Sequence, residues 1–102
     1  MATILFVRVK SDLEPEELDR RLVERRPRFK EVPGLVQKIY GRDGSTGDVC
    51  GIYFFEDENA LANFRETELA KTIPTAYEAK EVRREVYKVL YPLYPDRGPI
   101  SQ

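Results

Sequence analysis

The feature that most constrains the fold is the run VCGIYFFE at residues 49–56, because a strand of this composition is apolar on both faces. Side chains alternate along a strand, so Tyr53 and Phe55 share one face while Ile52 and Phe54 share the other. Such a strand belongs in the middle of a sheet. Helices of a small domain can cover only one of its two faces, and something else must cover the second.

The first third of the chain predicts a strand followed by an amphipathic helix. Residues 3–10, TILFVRVK, are rich in β-branched and aromatic side chains, which indicates a strand. Pro15 suits the first turn of a helix. Because proline removes an amide donor inside a helix, Pro27 is expected to kink or break it and to leave Phe29 and Val32 in a final short turn.

The rest of the chain predicts a hairpin, a second helix and a last strand. Residues 35–42 and 49–56 flank a loop with the glycines that a hairpin needs. Asp57 is expected to cap a helix with Ala60, Leu61 and Phe64 on one face. Ile73 and Pro74 break the following segment, and residues 82–91 indicate a strand. We therefore predict one α+β domain over residues 1–102, a ferredoxin-like βαββαβ fold with both helices on one face of an antiparallel four-stranded sheet and an extended arm at 92–102.

The hairpin loop also predicts which residues face each other across the two strands. If Gly44 pairs with Gly47, Lys38 lies opposite Tyr53, Tyr40 opposite Gly51 and Val36 opposite Phe55, all on the helix-facing side. The outer side then carries a large apolar group. Its members are Ile4, Phe6, Ile39, Ile52 and Phe54, with Arg8 beside them.

Charge and residue usage exclude several classes of function. Lys plus Arg (17) and Asp plus Glu (18) nearly cancel, so the net charge of −1 provides no overall attraction for a polyanion. With no histidine and one cysteine, Cys50, no Cys/His metal site and no internal disulfide are expected. No secretory signal and no membrane-spanning run is evident, so a cytoplasmic protein without a membrane partner is expected.

Two families resemble the chain. Residues 5–18, LFVRVKSDLEPEEL, and residues 48–61, DVCGIYFFEDENAL, are similar to the first of them, the RNA-recognition motif. Its stacking rings and cation would fall at residues 48–52, which read DVCGI and contain neither a ring nor a positive charge. We therefore predict no nucleic-acid partner.

The second resemblance covers residues 2–91 and rests on PGLVQKIY at 33–40, the glycine-containing hairpin and GIYFFED at 51–57. These residues resemble the dimeric α/β-barrel superfamily, and within it the YdhR-like (ABM-like) monooxygenases. The resemblance implies a homodimer, buried face to face through Ile4, Phe6, Arg8, Ile39, Ile52 and Phe54. It also implies a small aromatic or polyketide-like substrate that is deprotonated and reacts with oxygen directly, with no cofactor and no metal.

Lys38, Tyr53 and Tyr40 are the predicted catalytic residues, because a lysine in an apolar cavity can stabilise an anion or, with a lowered pKa, act as a base. The predicted substrate-binding residues, between the sheet and the helices, are Val7, Val36, Phe55 and Phe64. Alternatively, Lys38 extends past the sheet edge and Tyr53 is a core residue. The protein could also be a non-catalytic small-molecule binding or sensor module, or a purely structural dimer.

Other polar residues are given simpler interpretations. Arg8 is expected to form an ion pair or hydrogen bond at the dimer interface, and Cys50 to be a small buried packing residue. The basic run at residues 25–28 is interpreted as a solvated helix face. Tyr87, Tyr91 and Tyr94 could close a cavity or contact a partner subunit, and the sequence leaves both possibilities open.

Overall fold

The computed structural model describes residues 2–100 and contains one four-stranded antiparallel sheet. Its strands are β1 (Thr3–Ser11), β2 (Leu35–Arg42), β3 (Val49–Phe55) and β4 (Ala79–Lys88). They lie in the order β2-β3-β1-β4, so the two most apolar strands occupy the centre. The predicted βαββαβ fold is confirmed.

Four helices cover one face of this sheet, and the core lies between the two layers. They are α1 (Pro15–Lys30), α2 (Glu58–Arg65) and the one-turn helices α3 (Glu68–Lys71) and α4 (Ile73–Ala76). The helix-facing side chains of β1 and β3 are buried, while their outer side chains are only half-buried. At the centre of the core, the ring of Phe64 lies 5.5 Å from the rings of both Tyr53 and Phe55.

Helix α1 runs through Pro27 without a break, so the predicted interruption is wrong. Pro27 removes the amide that would bond to the carbonyl of Val23, but both residues lie on the solvent-exposed side, where water can bond to that carbonyl. Phe29 lies beyond the proline and is buried in the core. Its burial holds the last turn of the helix against the sheet.

The second half of the chain follows the prediction with shifted boundaries. Asp57 caps α2, its carboxylate accepting a hydrogen bond of 2.8 Å from the amide of Ala60. Pro74 does not simply break the chain, because it lies in the first turn of α4. The last strand covers Ala79–Lys88, earlier than the predicted 82–91, because it starts where β1 ends and pairs Ala79 with Ser11.

A bulge in β2 changes the predicted hairpin register at one end. Lys38 lies opposite Tyr53 as predicted, but Leu35 rather than Val36 lies opposite Phe55, and the register shifts between Leu35 and Gln37. The start of β2 is held by Gly34, whose carbonyl accepts a hydrogen bond of 2.9 Å from the amide of Glu56. The extra residue allows both this hydrogen bond and the pairing of Lys38 with Tyr53. Leu35 then packs on the core, and the side chain of Val36 is left 49% exposed.

Glycine is required at residue 34 for two reasons. Its φ of +76° lies in the left-handed region, and a Cβ there would lie 2.5 Å from the Cβ of Ala60 in α2. The backbone at Gly34, just before β2, therefore lies directly against the methyl group of Ala60 in α2.

The outer side of the sheet carries the predicted apolar residues, but Arg8 contacts its own chain. Its guanidinium donates hydrogen bonds of 2.9 Å to Asp43 and 3.0 Å to Asp48, which close the β2–β3 hairpin. Cys50 is half-buried on this side, less enclosed than expected. Residues 89–100, which follow β4, form no regular element, and the side chains of Leu90 and Leu93 are 84% and 81% exposed. No helix within residues 2–100 is both long enough and apolar enough to cross a membrane.

Candidate active site

The three predicted catalytic residues lie together at the β2 edge of the sheet. The Nζ atom of Lys38 lies 4.2 Å from the centre of the Tyr40 ring and 4.6 Å from that of Tyr53. A third ring, Phe29 of α1, is closer still, at 3.4 Å. Lys38 therefore does not extend past the sheet edge into water, because its amine is surrounded by three aromatic rings.

No carboxylate among residues 2–100 forms an ion pair with Lys38. Burial, together with the nearby positive charge of Arg25, lowers the pKa of the Lys38 ammonium from 10.5 to about 7. Contact with three π faces favours the ammonium form, whereas removal from water, the largest cause of the lowered pKa, favours the neutral amine. A neutral lysine amine is thus available near neutral pH.

Gly51 provides the space that the Lys38 side chain occupies. A Cβ at residue 51 would lie 3.0 Å from the Lys38 Cε and 3.0 Å from the Tyr53 Cε1. Such a contact is closer than side-chain carbons normally approach, so any larger residue would displace the lysine or the ring. The predicted pairing of Tyr40 with Gly51 is confirmed, and it places this gap directly beneath the amine.

Arg25 is a residue of this site that the sequence prediction missed, since it is not on a solvated face. Its Nη2 donates to the carbonyl of Leu69 at 2.9 Å and lies 3.3 Å from the hydroxyl of Thr72, which ties α1 to α3. Its guanidinium carbon lies 5.3 Å from the centre of the Tyr77 ring. Only the following residues of the basic run, Arg26 and Arg28, are exposed as predicted.

Tyr77 completes the inner wall of the site. It is 3% exposed, and burial raises the pKa of its phenol against the opposing effect of the Arg25 guanidinium. Within residues 2–100, the Tyr77 Oη and the Arg25 Nε are the buried side-chain polar atoms without a hydrogen-bond partner. Tyr77 also borders a cavity of about 20 Å³, as do Lys38 and Tyr53, which is enough for about one water molecule.

A ligand-sized cleft of about 330 Å³ opens in front of Lys38, between β2 and the C-terminal half of α1. Apolar and aromatic side chains form part of its wall, and basic side chains form its rim. Its lining residues are Arg26, Phe29, Lys30, Leu35, Val36, Gln37, Lys38 and Tyr40.

The predicted substrate-binding residues are divided between the cleft and the core. Val36 lines the cleft, exposed by the bulge. Val7 borders only the small inner cavity, whereas Phe55 and Phe64 are core residues, 0% and 2% exposed. Tyr53 is likewise a core residue, 2% exposed, and burial raises the pKa of its phenol. The space in front of Lys38 therefore lies at the sheet edge, and Phe64 borders a separate cavity of about 450 Å³ between α2 and the C-terminal end of α1.

One sequence signal could have identified the missed residues. Leu18, Leu22, Arg25 and Phe29 recur at helical spacing, which places them on one face. Continuing this stripe through Pro27 would have placed Arg25 and Phe29 against the sheet beside Lys38.

The part of the chain that the structure describes holds no group of three or more His, Cys, Asp or Glu side chains arranged as a metal site.

Solved structures of other proteins share the fold, and a family model identifies the family. The chain resembles SnoaB, a cofactor-independent oxygenase from Streptomyces nogalater, with 15% sequence identity, a TM-score of 0.75, and coverage of 90% of this chain and 96% of SnoaB. A putative antibiotic biosynthesis monooxygenase from Deinococcus radiodurans shows 11% identity and a TM-score of 0.73, covering 92% of this chain and 97% of the other. No curated protein matches the chain. The family model described as "Putative mono-oxygenase ydhR" matches residues 4–95, and the chain therefore belongs to this mono-oxygenase family.

Proposed function

We propose that the protein is a cofactor-independent monooxygenase that oxidises a small aromatic or polyketide-like molecule, with Lys38 as the catalytic base. The observation that carries this proposal is the Lys38 amine, held without a carboxylate partner against three aromatic rings at the base of an open cleft. With a pKa near 7, the neutral amine can act as a base, and the ammonium that it becomes can stabilise the resulting substrate anion.

The proposed reaction needs only the substrate and dioxygen. The neutral Lys38 amine removes a proton from an activated ring carbon that carries two hydrogens, and the lysine becomes an ammonium beside the carbanion. The carbanion transfers its electrons to dioxygen and forms a carbon–oxygen bond, which gives a peroxide anion. Lys38 returns its proton to the peroxide, and loss of water leaves a carbonyl. One dioxygen is consumed, and its two oxygen atoms end in the carbonyl and in water.

Tyr40 and Tyr53 have different roles in this proposal. Tyr40 lies at the mouth of the cleft, 37% exposed, where its ring can stack on an aromatic substrate. Tyr53 lies behind the lysine, and its phenol stays protonated because burial raises its pKa. Its ring therefore stabilises the Lys38 ammonium by a cation–π contact, and its phenol exchanges no proton in the reaction.

The test is oxygen consumption with a panel of anthrones, whose central ring has the required carbon with two hydrogens, measured with an oxygen electrode. We expect turnover whose kcat/KM rises with pH through about 7, as the Lys38 amine becomes neutral. Lys38→Met should lower kcat by about a hundredfold or more, since general base catalysis contributes ~10²–10⁴. Lys10→Met, at an exposed lysine outside the cleft, is the matched control and should leave kcat unchanged.

Turnover that persists in Lys38→Met would disprove the assigned base. Tight binding of the panel without any oxygen consumption would instead support the alternative, a non-catalytic binding or sensor module that uses the same cleft.

We further propose that a second copy of the chain covers the outer side of the sheet, through Ile4, Phe6, Ile39, Ile52 and Phe54. This side is apolar and uncovered by the helices, and Ile39 at its edge is 46% exposed. Native mass spectrometry should give twice the mass of 11.9 kDa. Ile39→Glu should shift the protein toward monomers, because it would bury a charge without a partner. A wild-type monomer at micromolar concentration would contradict this assembly.

A further inference from the structure

The cleft in front of Lys38 is positively charged although the chain as a whole is slightly acidic. Arg26, Lys30 and Lys38 line it, and none of its lining residues is acidic. Arg25 lies directly behind and adds its charge at the lysine. Within residues 2–100, none of these four cations forms an ion pair with a carboxylate.

Several cations outside the cleft are paired with carboxylates. On the other side of α1, Arg20 pairs with Glu17 at 2.6 Å and with Glu24 at 2.8 Å. Arg42, at the far end of β2, pairs with Asp19 at 2.5 Å. Arg20 of the same helix and Arg42 of the same strand are therefore neutralised, whereas the cations of the cleft have no counter-charge within residues 2–100.

Unpaired cations around a concave site attract an anion, and these cations surround aromatic and apolar walls. Arg26 and Lys30 are one helical turn apart on α1, so their side chains can lie on the same side of the cleft. Tyr40 presents a ring to the cleft and is 37% exposed, whereas the ring of Phe29 is buried and covered by the Lys38 amine. The walls suit a flat ring and the rim suits an acidic group attached to it.

We propose that the natural ligand of this cleft is an aromatic carboxylate, with its ring against Tyr40 in front of the Lys38 amine and its carboxylate on Arg26 and Lys30. The proposal rests on the monooxygenase function above and narrows the class of substrate. In this orientation the acidic group anchors the molecule at the rim, and the ring carbon to be oxidised lies next to Lys38. The carboxylate takes no part in the reaction.

The test compares two probes of the same shape and different charge, 2-naphthoate and 2-naphthalenemethanol, by isothermal titration calorimetry at low salt. We expect 2-naphthoate to bind about tenfold more tightly, because charge-assisted hydrogen bonds are roughly twice as strong as neutral ones. The double variant Arg26→Gln/Lys30→Gln should remove this difference and leave the affinity for the alcohol unchanged. Higher salt should weaken only the binding of 2-naphthoate.

The matched control is Lys10→Gln/Arg65→Gln, which removes two exposed cations outside the cleft and changes the net charge equally. It should retain the preference for 2-naphthoate. Equal affinities of the wild type for the two probes, no binding of either, or an equal loss in the control variant would each overturn the proposal. Binding does not depend on turnover, so carboxylate selectivity without oxygen consumption would contradict only the monooxygenase function. Oxygen consumption with neutral substrates alone would contradict only this inference.

Discussion

Replacing Lys38 by methionine should make the protein more stable, by an amount that depends on pH. In the folded protein the pKa of Lys38 is about 7, whereas its ordinary value is 10.5. Between these two values the unfolded chain binds more protons than the folded one, so this lysine destabilises the fold at low pH and less so as pH rises. Methionine has a similar length and no charge to bury.

The size of the effect follows from the two pKa values. One pKa unit corresponds to ~1.36 kcal/mol, so the lowering from 10.5 to about 7 makes Lys38 cost about 4 to 5 kcal/mol at pH 6 to 7. At about pH 10 the unfolded chain is itself partly deprotonated, and the cost falls to about 1 kcal/mol. The advantage of the variant should therefore shrink by about 3 to 4 kcal/mol across this range.

Urea unfolding followed by circular dichroism, at pH 6, 7, 8, 9 and 10 and at one protein concentration, measures this difference directly. Other groups titrate equally in both proteins, so subtracting the two free energies of unfolding isolates Lys38. Lys10→Met, at an exposed lysine, should show a small difference that does not vary with pH.

A constant difference between wild type and Lys38→Met across the whole pH range would refute this reasoning, because it would mean that the folded protein keeps an ordinary lysine. It would also remove the physical basis for Lys38 as a base. A stabilised variant that has lost oxygen consumption would instead show that the protein gives up stability to hold a reactive amine.

Three further predictions concern backbone space and charge. Gly51→Ala should lower kcat/KM about tenfold in oxygen consumption, because the new methyl group displaces the Lys38 amine, and an unchanged rate would show that the gap has no catalytic role. Gly34→Ala should lower the free energy of unfolding by about 2 to 4 kcal/mol through its left-handed φ and its contact with Ala60; adding Ala60→Gly should restore part of this loss in urea unfolding. Asp43→Asn should lower the melting temperature at pH 7, and this difference should shrink as the pH falls below the ordinary carboxyl pKa of 3.8. The arginine partner of Asp43 holds the pKa of its carboxyl below the usual 3.8, so that contribution is present above this value and lost as the pH falls; a pH-independent difference would contradict the ion pair.

The sequence was sufficient to predict the sheet and the pairing of Lys38 with Tyr53. The two apolar faces of β3 placed this strand correctly at the centre, and the hairpin loop placed Lys38 opposite Tyr53. Local patterns of this kind are read from adjacent residues. The presence of a cleft and its position depend instead on how α1 packs on the sheet edge, which no single segment encodes.

Two features escaped prediction because contacts distant in sequence decide them. Pro27 is a poor helix residue by itself, but the burial of Phe29 stabilises the turn that follows it. The bulge at Val36 arises because Gly34 is fixed against α2 while Lys38 is fixed by β3. Neither constraint is visible in the strand itself.

This bulge makes the two ends of β2 independent of each other. Beyond it, Lys38 and Tyr40 keep a register set by β3, whereas the side chain of Val36 is free of any packing role in the core and points to the cleft. Substitutions at residue 36 can thus alter the size and shape of the space offered to a ligand without moving the amine. Related chains could diverge in what they accept through this one residue while keeping the same chemistry, and an engineer who wished to change selectivity would begin there.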